Sequence, residues 1–152
     1  MRGLELSSEG RYGLRALVHL ARTGGLTTRD EIAAEARIPP RLLARVMARL
    51  SAAGLVESHK GGAGGSRLAR PAKEITLREA VETIEGPFEV TRCIMEQRAC
   101  GEGAPCAMHE AWEEGQETFL GYLEAQTLSE FVSRTAAGGE VDPSVAEHSA
   151  TG

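Results

Sequence analysis

The sequence predicts a mostly α-helical chain with one small β-hairpin. Three observations carry this reading. Apolar residues recur with a period near 3.6 over several stretches. Those stretches are bounded by cap residues and by Gly or Pro. One segment instead holds four glycines within the seven residues 60–66, between two short runs suited to strands.

Ser8 to Ala21 reads as the first helix, with Tyr12, Leu14, Ala16, Leu17, Leu20 and Ala21 forming a broad apolar stripe that Gly24-Gly25 ends. Thr28-Arg29-Asp30-Glu31 is a capping box, in which Thr28 and Glu31 satisfy the first free amides of a second helix. That helix runs to about Ala36, with Ile32, Ala33 and Ala36 inward. After Arg37-Ile38-Pro39, Pro40 suits the first position of a third helix, where a missing N–H costs nothing. Leu42, Leu43, Val46, Met47 and Leu50 give its inner face, and Gly54 fits the residue just past its end. Two helices joined by a short turn form a helix-turn-helix candidate. Leu55 to His59 is a short strand, and the glycine-rich turn followed by Arg67-Leu68-Ala69-Arg70-Pro71 completes a hairpin. After a helix-turn-helix, such a hairpin is a wing. A phosphate-binding loop is the alternative, but the Gly-x-x-x-x-Gly-Lys-Ser/Thr pattern is absent.

Ile75 to Glu85 is a further amphipathic helix, with Ile75, Leu77, Ala80, Val81 and Ile84 inward and Gly86-Pro87 as its stop. Residues 88–104 read as a loop, and Pro105 to about Ala125 as a long helix. Met108, Ala111, Trp112, Gly115, Phe119, Tyr122 and Leu123 line one face of it, with glutamates largely on the other. A long helix with one aromatic stripe and no second layer nearby needs a partner helix. The expectation is a homodimer through Met108, Trp112, Phe119, Tyr122 and Leu123. Four parts follow: a winged helix-turn-helix over 1–86, a cysteine-bearing loop over 87–104, a dimerisation helix region over 105–134, and a disordered small-residue tail over 135–152.

The net charge of −5 hides a division: residues 1–78 carry 14 Lys and Arg against 7 Asp and Glu, and residues 79–152 carry 3 against 15. A basic N-terminal half suits phosphate contacts. With the apolar residues of the third helix facing inward, Arg41, Arg45 and Arg49 share its outer side, one every four residues. Arg41 and Arg45 are expected to reach base edges in the major groove, and Arg49 the backbone. Lys60 and Arg67 flank the wing, where they could enter the minor groove or bind phosphate. Thr28 and Arg11 join the candidate DNA contacts, with Arg15 beside Arg11. The partner so described is double-stranded DNA.

The only cysteines are Cys93, Cys100 and Cys106, spaced Cys-x6-Cys-x5-Cys and followed by x2 and His109. Thiolate is the standard ligand of iron–sulfur clusters, and imidazole replaces some of it in certain centres. A structural zinc site more often contains a Cys-x2-Cys knuckle, which is missing here. Wide spacing in a loop can wrap a larger object. Cys106 and His109, one turn apart at the start of the long helix, can point the same way, and a helix N-terminus favours thiolate. The alternatives are buried free cysteines and a surface histidine. No apolar run approaches the roughly 18 residues of a membrane span, and the N-terminus has no signal-peptide core. The expectation is a cytoplasmic protein, whose thiols stay reduced. An odd cysteine count also leaves one thiol over in any internal pairing.

Taken together, residues 4–133 resemble the IscR-type winged-helix regulators of bacteria, the Rrf-two family, which includes NsrR and CymR. Ser8-Glu9-Gly10-Arg11-Tyr12-Gly13-Leu14-Arg15-Ala16 looks like the family's opening. Gly54-Leu55-Val56, the wing with Leu68-Ala69-Arg70-Pro71, and Ile75-Thr76-Leu77 follow in family order. Val90-Thr91-Arg92-Cys93, Cys106-Ala107-Met108-His109-Glu110-Ala111-Trp112 and Thr127-Leu128-Ser129-Glu130 look most like its iron–sulfur branch. The resemblance implies a dimer with one [2Fe-2S] cluster per subunit, held by Cys93, Cys100, Cys106 and His109, whose state sets binding to a palindromic promoter site. The near alternative is the nitric-oxide-sensing branch. There a [4Fe-4S] cluster takes three cysteines and a carboxylate from the partner's first helix. The matching position here is Arg11, which cannot ligate, although Glu9 lies close by. Three departures stand out. The first Cys–Cys gap is one residue longer, so the loop must bulge. Ala44 stands where the cluster branch has a site-discriminating glutamate, beside Arg41 and Arg45 in place of uncharged residues, so a different target sequence is expected. Ser66 replaces a frequent wing tyrosine.

Two further readings compete. A regulator could use the thiols alone, as a redox or zinc switch. A small electron-transfer protein would explain the cysteines but leaves the helix-turn-helix, the wing and the charge division without purpose. No Ser-His-Asp or paired-carboxylate arrangement stands out, and His19 reads as a helix-surface or core residue, so no enzyme is expected.

Overall fold

A computed structural model describes residues 6–88, 95, 100 and 106–136. The first helix, α1 (Ser8–Thr23), starts where the Ser7 hydroxyl accepts from the Gly10 N–H at 3.0 Å, and stops where the Gly24 N–H reaches the Leu20 carbonyl. Helix α2 (Arg29–Glu35) carries the expected capping box: the Glu31 N–H donates to the Thr28 hydroxyl, and the Thr28 N–H to the Glu31 carboxylate at 2.8 Å. The turn into helix α3 (Pro40–Ala52) takes Arg37 to a φ of 51°, a conformation that costs a non-glycine residue about 1–2 kcal/mol. The Ile38 N–H then returns to the Ala33 carbonyl and its side chain is buried, which fixes the angle of the helix-turn-helix.

Strands β1 (Val56–His59) and β2 (Gly65–Leu68) form an antiparallel wing in which Val56 faces Leu68 and His59 faces Gly65. Thr27, just before α2, pairs with Ser66 through both backbone hydrogen bonds, at 2.9 and 2.8 Å. A Cβ on Gly65 would lie 2.7 Å from the Thr27 carbonyl oxygen, so only glycine admits this third strand segment.

A short 3-10 turn (Ala72–Glu74) leads to helix α4 (Leu77–Glu85). The helix begins two residues later than the periodicity of Ile75 predicts. Ile75 and Thr76 are instead pulled into extended pairing with Gln126–Leu128, and Thr76 becomes the cap. Gly13 lets α1 approach α4: a Cβ there would meet the Ile84 side chain at 2.7 Å.

Helix α5 (His109–Ala125) starts at His109 and not at Pro105. Cys106, Ala107 and Met108 form a turn before it, closed by the His109 N–H on the Cys106 carbonyl at 3.0 Å. The chain then breaks at Gln126, and a separate helix α6 (Leu128–Ala136) follows, which the sequence reading merged into the dimerisation region. Its capping box, Thr127 with Glu130, repeats that of α2. Helix α6 folds back on α1. Leu128 is fully buried in the same core as Leu17, Leu20, Leu43, Val46, Leu50, Leu55 and Ile75, so the C-terminal segment completes the N-terminal core. Helix α6 also extends two residues into the segment expected to be a tail, while 137–152 lie outside the described residues. His19 is half-buried on α1, with its Nε2 shielded from solvent.

Candidate nucleic-acid interface and metal centre

Helix α3 buries Leu43, Val46, Met47 and Leu50, with Leu42 half-buried. This leaves Arg41, Arg45 and Arg49 exposed on the outside, as the spacing predicts. The three are not equivalent. Arg41 has no ion pair or hydrogen bond among the described residues. The Nη1 of Arg45 lies 3.1 Å from Oε1 of Glu9 on α1, and the Nη1 of Arg49 lies 3.5 Å from its Oε2. Arg49 Nη1 also donates to the Ile84 carbonyl at 2.8 Å. One carboxylate thus bridges two arginines of α3. These partners are 36 to 40 residues apart in sequence, so no local pattern could announce them.

In the wing, Lys60 is exposed at the tip. Arg67 bonds Glu57 directly across the strand pair, and this ion pair holds the Glu57 carboxyl below its ordinary value. Arg11 folds back on its own helix start, donating to the Leu6 carbonyl at 2.8 Å and to the Ser8 hydroxyl at 3.2 Å. Arg15 lies over the Tyr12 ring, 6.0 Å from its centroid. The Thr28 hydroxyl is occupied by its capping box. Among the named cations, Arg41 and Lys60 are the two with no ion pair, hydrogen bond or ring contact among the described residues.

Of the four candidate metal ligands, Cys93 lies outside the described residues. Cys100 and His109 come together, with Sγ 3.2 Å from Nδ1. Both are partly buried, as is Cys106, which sits in the turn at the head of α5. The other ring nitrogen of His109 lies 3.7 Å from Oε2 of Glu113, one helical turn on. A carboxylate behind a ligating imidazole fixes ring orientation and raises basicity. The sequence reading missed Glu113, although the His-x3-Glu spacing on a helix was its signal. Among the described residues, no group of three His, Cys, Asp or Glu is close enough to hold a metal ion. The fit to a cluster therefore rests on the Cys100–His109 contact, on the place of Cys106 in the turn before α5, and on the softness of this donor set.

Beyond the site, Met108 just before α5, and Phe119 and Tyr122 on it, are 44%, 36% and 51% exposed, with Trp112 half-buried. Phe119 meets Phe88 edge-on, with centroids 6.2 Å apart, and the Tyr122 hydroxyl accepts from Arg134 at 2.6 Å. Leu123, placed on the same face by its spacing, is instead buried within the subunit.

Comparison with known proteins adds the lineage. A family model described as iron-dependent transcriptional regulator, Rrf2, matches residues 6–134. An HTH-type transcriptional regulator of Mycobacterium tuberculosis is 32% identical over 146 residues, covering 95% of this chain and 88% of that protein. The HTH-type transcriptional regulator IscR of Klebsiella pneumoniae is 31% identical over 133 residues, covering 86% and 80%. Among solved structures, CymR, the global cysteine regulator of B. subtilis, superposes with a TM-score of 0.76 at 28% identity, covering 88% of this chain and 99% of that one. IscR of T. potens does so at 0.71 and 25%, covering 91% and 94%.

Proposed function

Because the chain belongs to the Rrf2 family of DNA-binding transcriptional regulators, we propose that it is a cytoplasmic homodimer that binds a palindromic promoter site under the control of an iron–sulfur cluster. It is a regulator and not an enzyme. The observation that carries the finer reading is the 3.2 Å approach of Cys100 Sγ to His109 Nδ1 at the head of α5. Two soft donors nine residues apart meet there, and a third, Cys106, lies in the turn that opens the helix.

In this reading Cys93, Cys100, Cys106 and His109 hold a [2Fe-2S] cluster, with Glu113 orienting the imidazole. When bound, the cluster supplies a one-electron redox centre and a structure that depends on iron and sulfide supply. The protein's part is mechanical. The cysteine loop joins the end of α4 to the head of α5. The end of α4 is tied to α3 through Arg49 on the Ile84 carbonyl, and to α1 through Glu85 on Ser7 at 2.8 Å. A change in the loop's constraints therefore bears on the elements that present α3. The apolar face of α5 supplies the dimer contact, so two copies of α3 meet successive major grooves. Arg41 and Arg45 read bases. Lys60 holds phosphate at the wing, with Arg49, Arg67, Thr28 and Arg11 in supporting contacts.

A cluster-free thiol or zinc switch is the second reading, favoured by the likeness to CymR, a cysteine regulator. Iron, sulfide and zinc analysis of anaerobically purified protein separates the two. Stoichiometric iron and sulfide, lost on Cys106→Ala, supports the cluster; zinc in a colourless preparation supports the switch. A nitric-oxide-sensing [4Fe-4S] regulator would need a carboxylate from α1, and Glu9 is instead engaged with Arg45 and Arg49.

A further inference from the structure

We propose that Glu9 is a specificity-determining positioning residue: from α1 it fixes Arg45 of α3 and so decides how that arginine meets base edges. The inference rests on the reading that α3 docks in the major groove.

Glu9 is set back and Arg45 projects. Their side chains are 23% and 62% exposed, with Nη1 3.1 Å from Oε1. The second oxygen of Glu9 lies 3.5 Å from Arg49 Nη1, and that same nitrogen donates to the Ile84 carbonyl at 2.8 Å. Arg45 therefore has one fixed anchor on a carboxylate that is itself braced. Guanidinium carries five N–H donors, and with Nη1 held the edge formed by Nε and Nη2 remains for a second, bidentate partner. Guanine O6 and N7 are such a partner. Arg41 has no comparable anchor among the described residues, so the two reading arginines differ in freedom.

An ion pair this exposed contributes little to folding. Its larger effect is on DNA. A carboxylate beside the docking face repels phosphate and lowers affinity for any duplex. It also restricts a long side chain to few rotamers, which removes the ordering cost at one preferred base and leaves that cost in place elsewhere. Glu9 thus trades general affinity for discrimination.

The test uses the full-length chain, purified anaerobically, and a pool of random-sequence duplexes. Bound duplexes are sequenced for wild type, Glu9→Ala, Arg45→Ala and the double variant. Affinities are then measured for the wild-type-selected duplex and a scrambled one. Glu9→Ala is expected to bind the scrambled duplex more tightly, to blur the selected positions that Arg45→Ala also blurs, and to lower the selected-to-scrambled ratio about fivefold or more, the lower end for one bidentate base contact. In the Arg45→Ala background it should change the ratio no further. Glu9→Gln, which keeps the side chain's shape, should fall between wild type and Ala, and it carries the test if the Ala variant melts early. An unchanged motif and ratio in Glu9→Ala, with an altered motif in Arg45→Ala, overturns the role of Glu9 and leaves the docking reading standing. An unchanged motif in Arg45→Ala overturns both.

Discussion

The Sγ of Cys100 lies 3.2 Å from Nδ1 of His109, while the far nitrogen of the same ring lies 3.7 Å from the Glu113 carboxylate. The imidazole is thus held between a thiol and an acid. If it ligates a cluster, His109→Ala should lose most of the iron and sulfide of anaerobic preparations, and His109→Cys should retain the cluster with altered visible absorption and a lower reduction potential. Glu113→Gln should keep the colour but weaken iron retention about 10–100-fold, as loss of an outer partner does. Iron retention against a chelator series checks this; a Glu113→Gln protein indistinguishable from wild type counts against the orienting role.

Arg41 and Lys60, the two named cations with no ion pair, hydrogen bond or ring contact among the described residues, should behave differently on DNA. Arg41→Ala is expected to cost about 1–3 kcal/mol on the best duplex and to relax the base preference at one position. Lys60→Ala, at the wing tip, should weaken all duplexes alike and reduce the slope of log affinity against log salt by about 1. Fluorescence anisotropy over a salt series distinguishes these outcomes.

Much of this architecture is legible because its determinants are local. The Thr28–Glu31 box, the inner face of α3 and the glycine run of the wing each lie within a dozen residues, and all three form as read. The start of α5 was misplaced because its cap, Met108, makes no side-chain hydrogen bond and so leaves no cap signal in the sequence. The separate α6 was announced by Thr127-x-x-Glu130, the same capping box as in α2, but the break before it comes from tertiary pairing of Thr127 with Thr76. The Glu9 bridge to Arg45 and Arg49 joins α1 to α3, and no period of either helix encodes it. Of the candidate metal centre, the donor types and spacing were legible. The Cys100–His109 approach and the Glu113 carboxylate needed the fold.

The exposed apolar face of α5 should hold the dimer together. Paired Met108→Glu and Phe119→Glu substitutions are expected to give a monomer in sedimentation velocity, weakening association by at least about 2 kcal/mol, the scale of buried interface anchors. Helix content should be retained, because neither side chain belongs to the buried core. A dimer of unchanged affinity would point to another surface.

Stability should fall on the acid side. The Glu31 and Glu130 carboxyls are held below their ordinary value of 4.5, mainly by the backbone N–H groups of Thr28 and Thr127, and Glu57 by the Arg67 guanidinium. For a carboxyl lowered in the folded state, the unfolded chain binds more protons over the window between the two values, so stability rises with pH there. The contribution is complete above the ordinary value and is lost as pH falls through the folded one. Thermal unfolding between pH 7 and pH 3 should show a steepening loss below about pH 4.5, and the double variant Glu31→Gln, Glu130→Gln should show a shallower one.

A cluster held at the head of α5 is proposed to govern how α3 meets DNA. The most direct measurement is a pair of binding isotherms on one selected duplex, taken for anaerobically purified protein before and after iron removal, at a single salt concentration. A coloured protein whose affinity shifts by about 5–150-fold on losing its iron and sulfide, with the shift abolished in Cys106→Ala, is the predicted result. Superimposable isotherms, or a colourless protein carrying stoichiometric zinc, would contradict it.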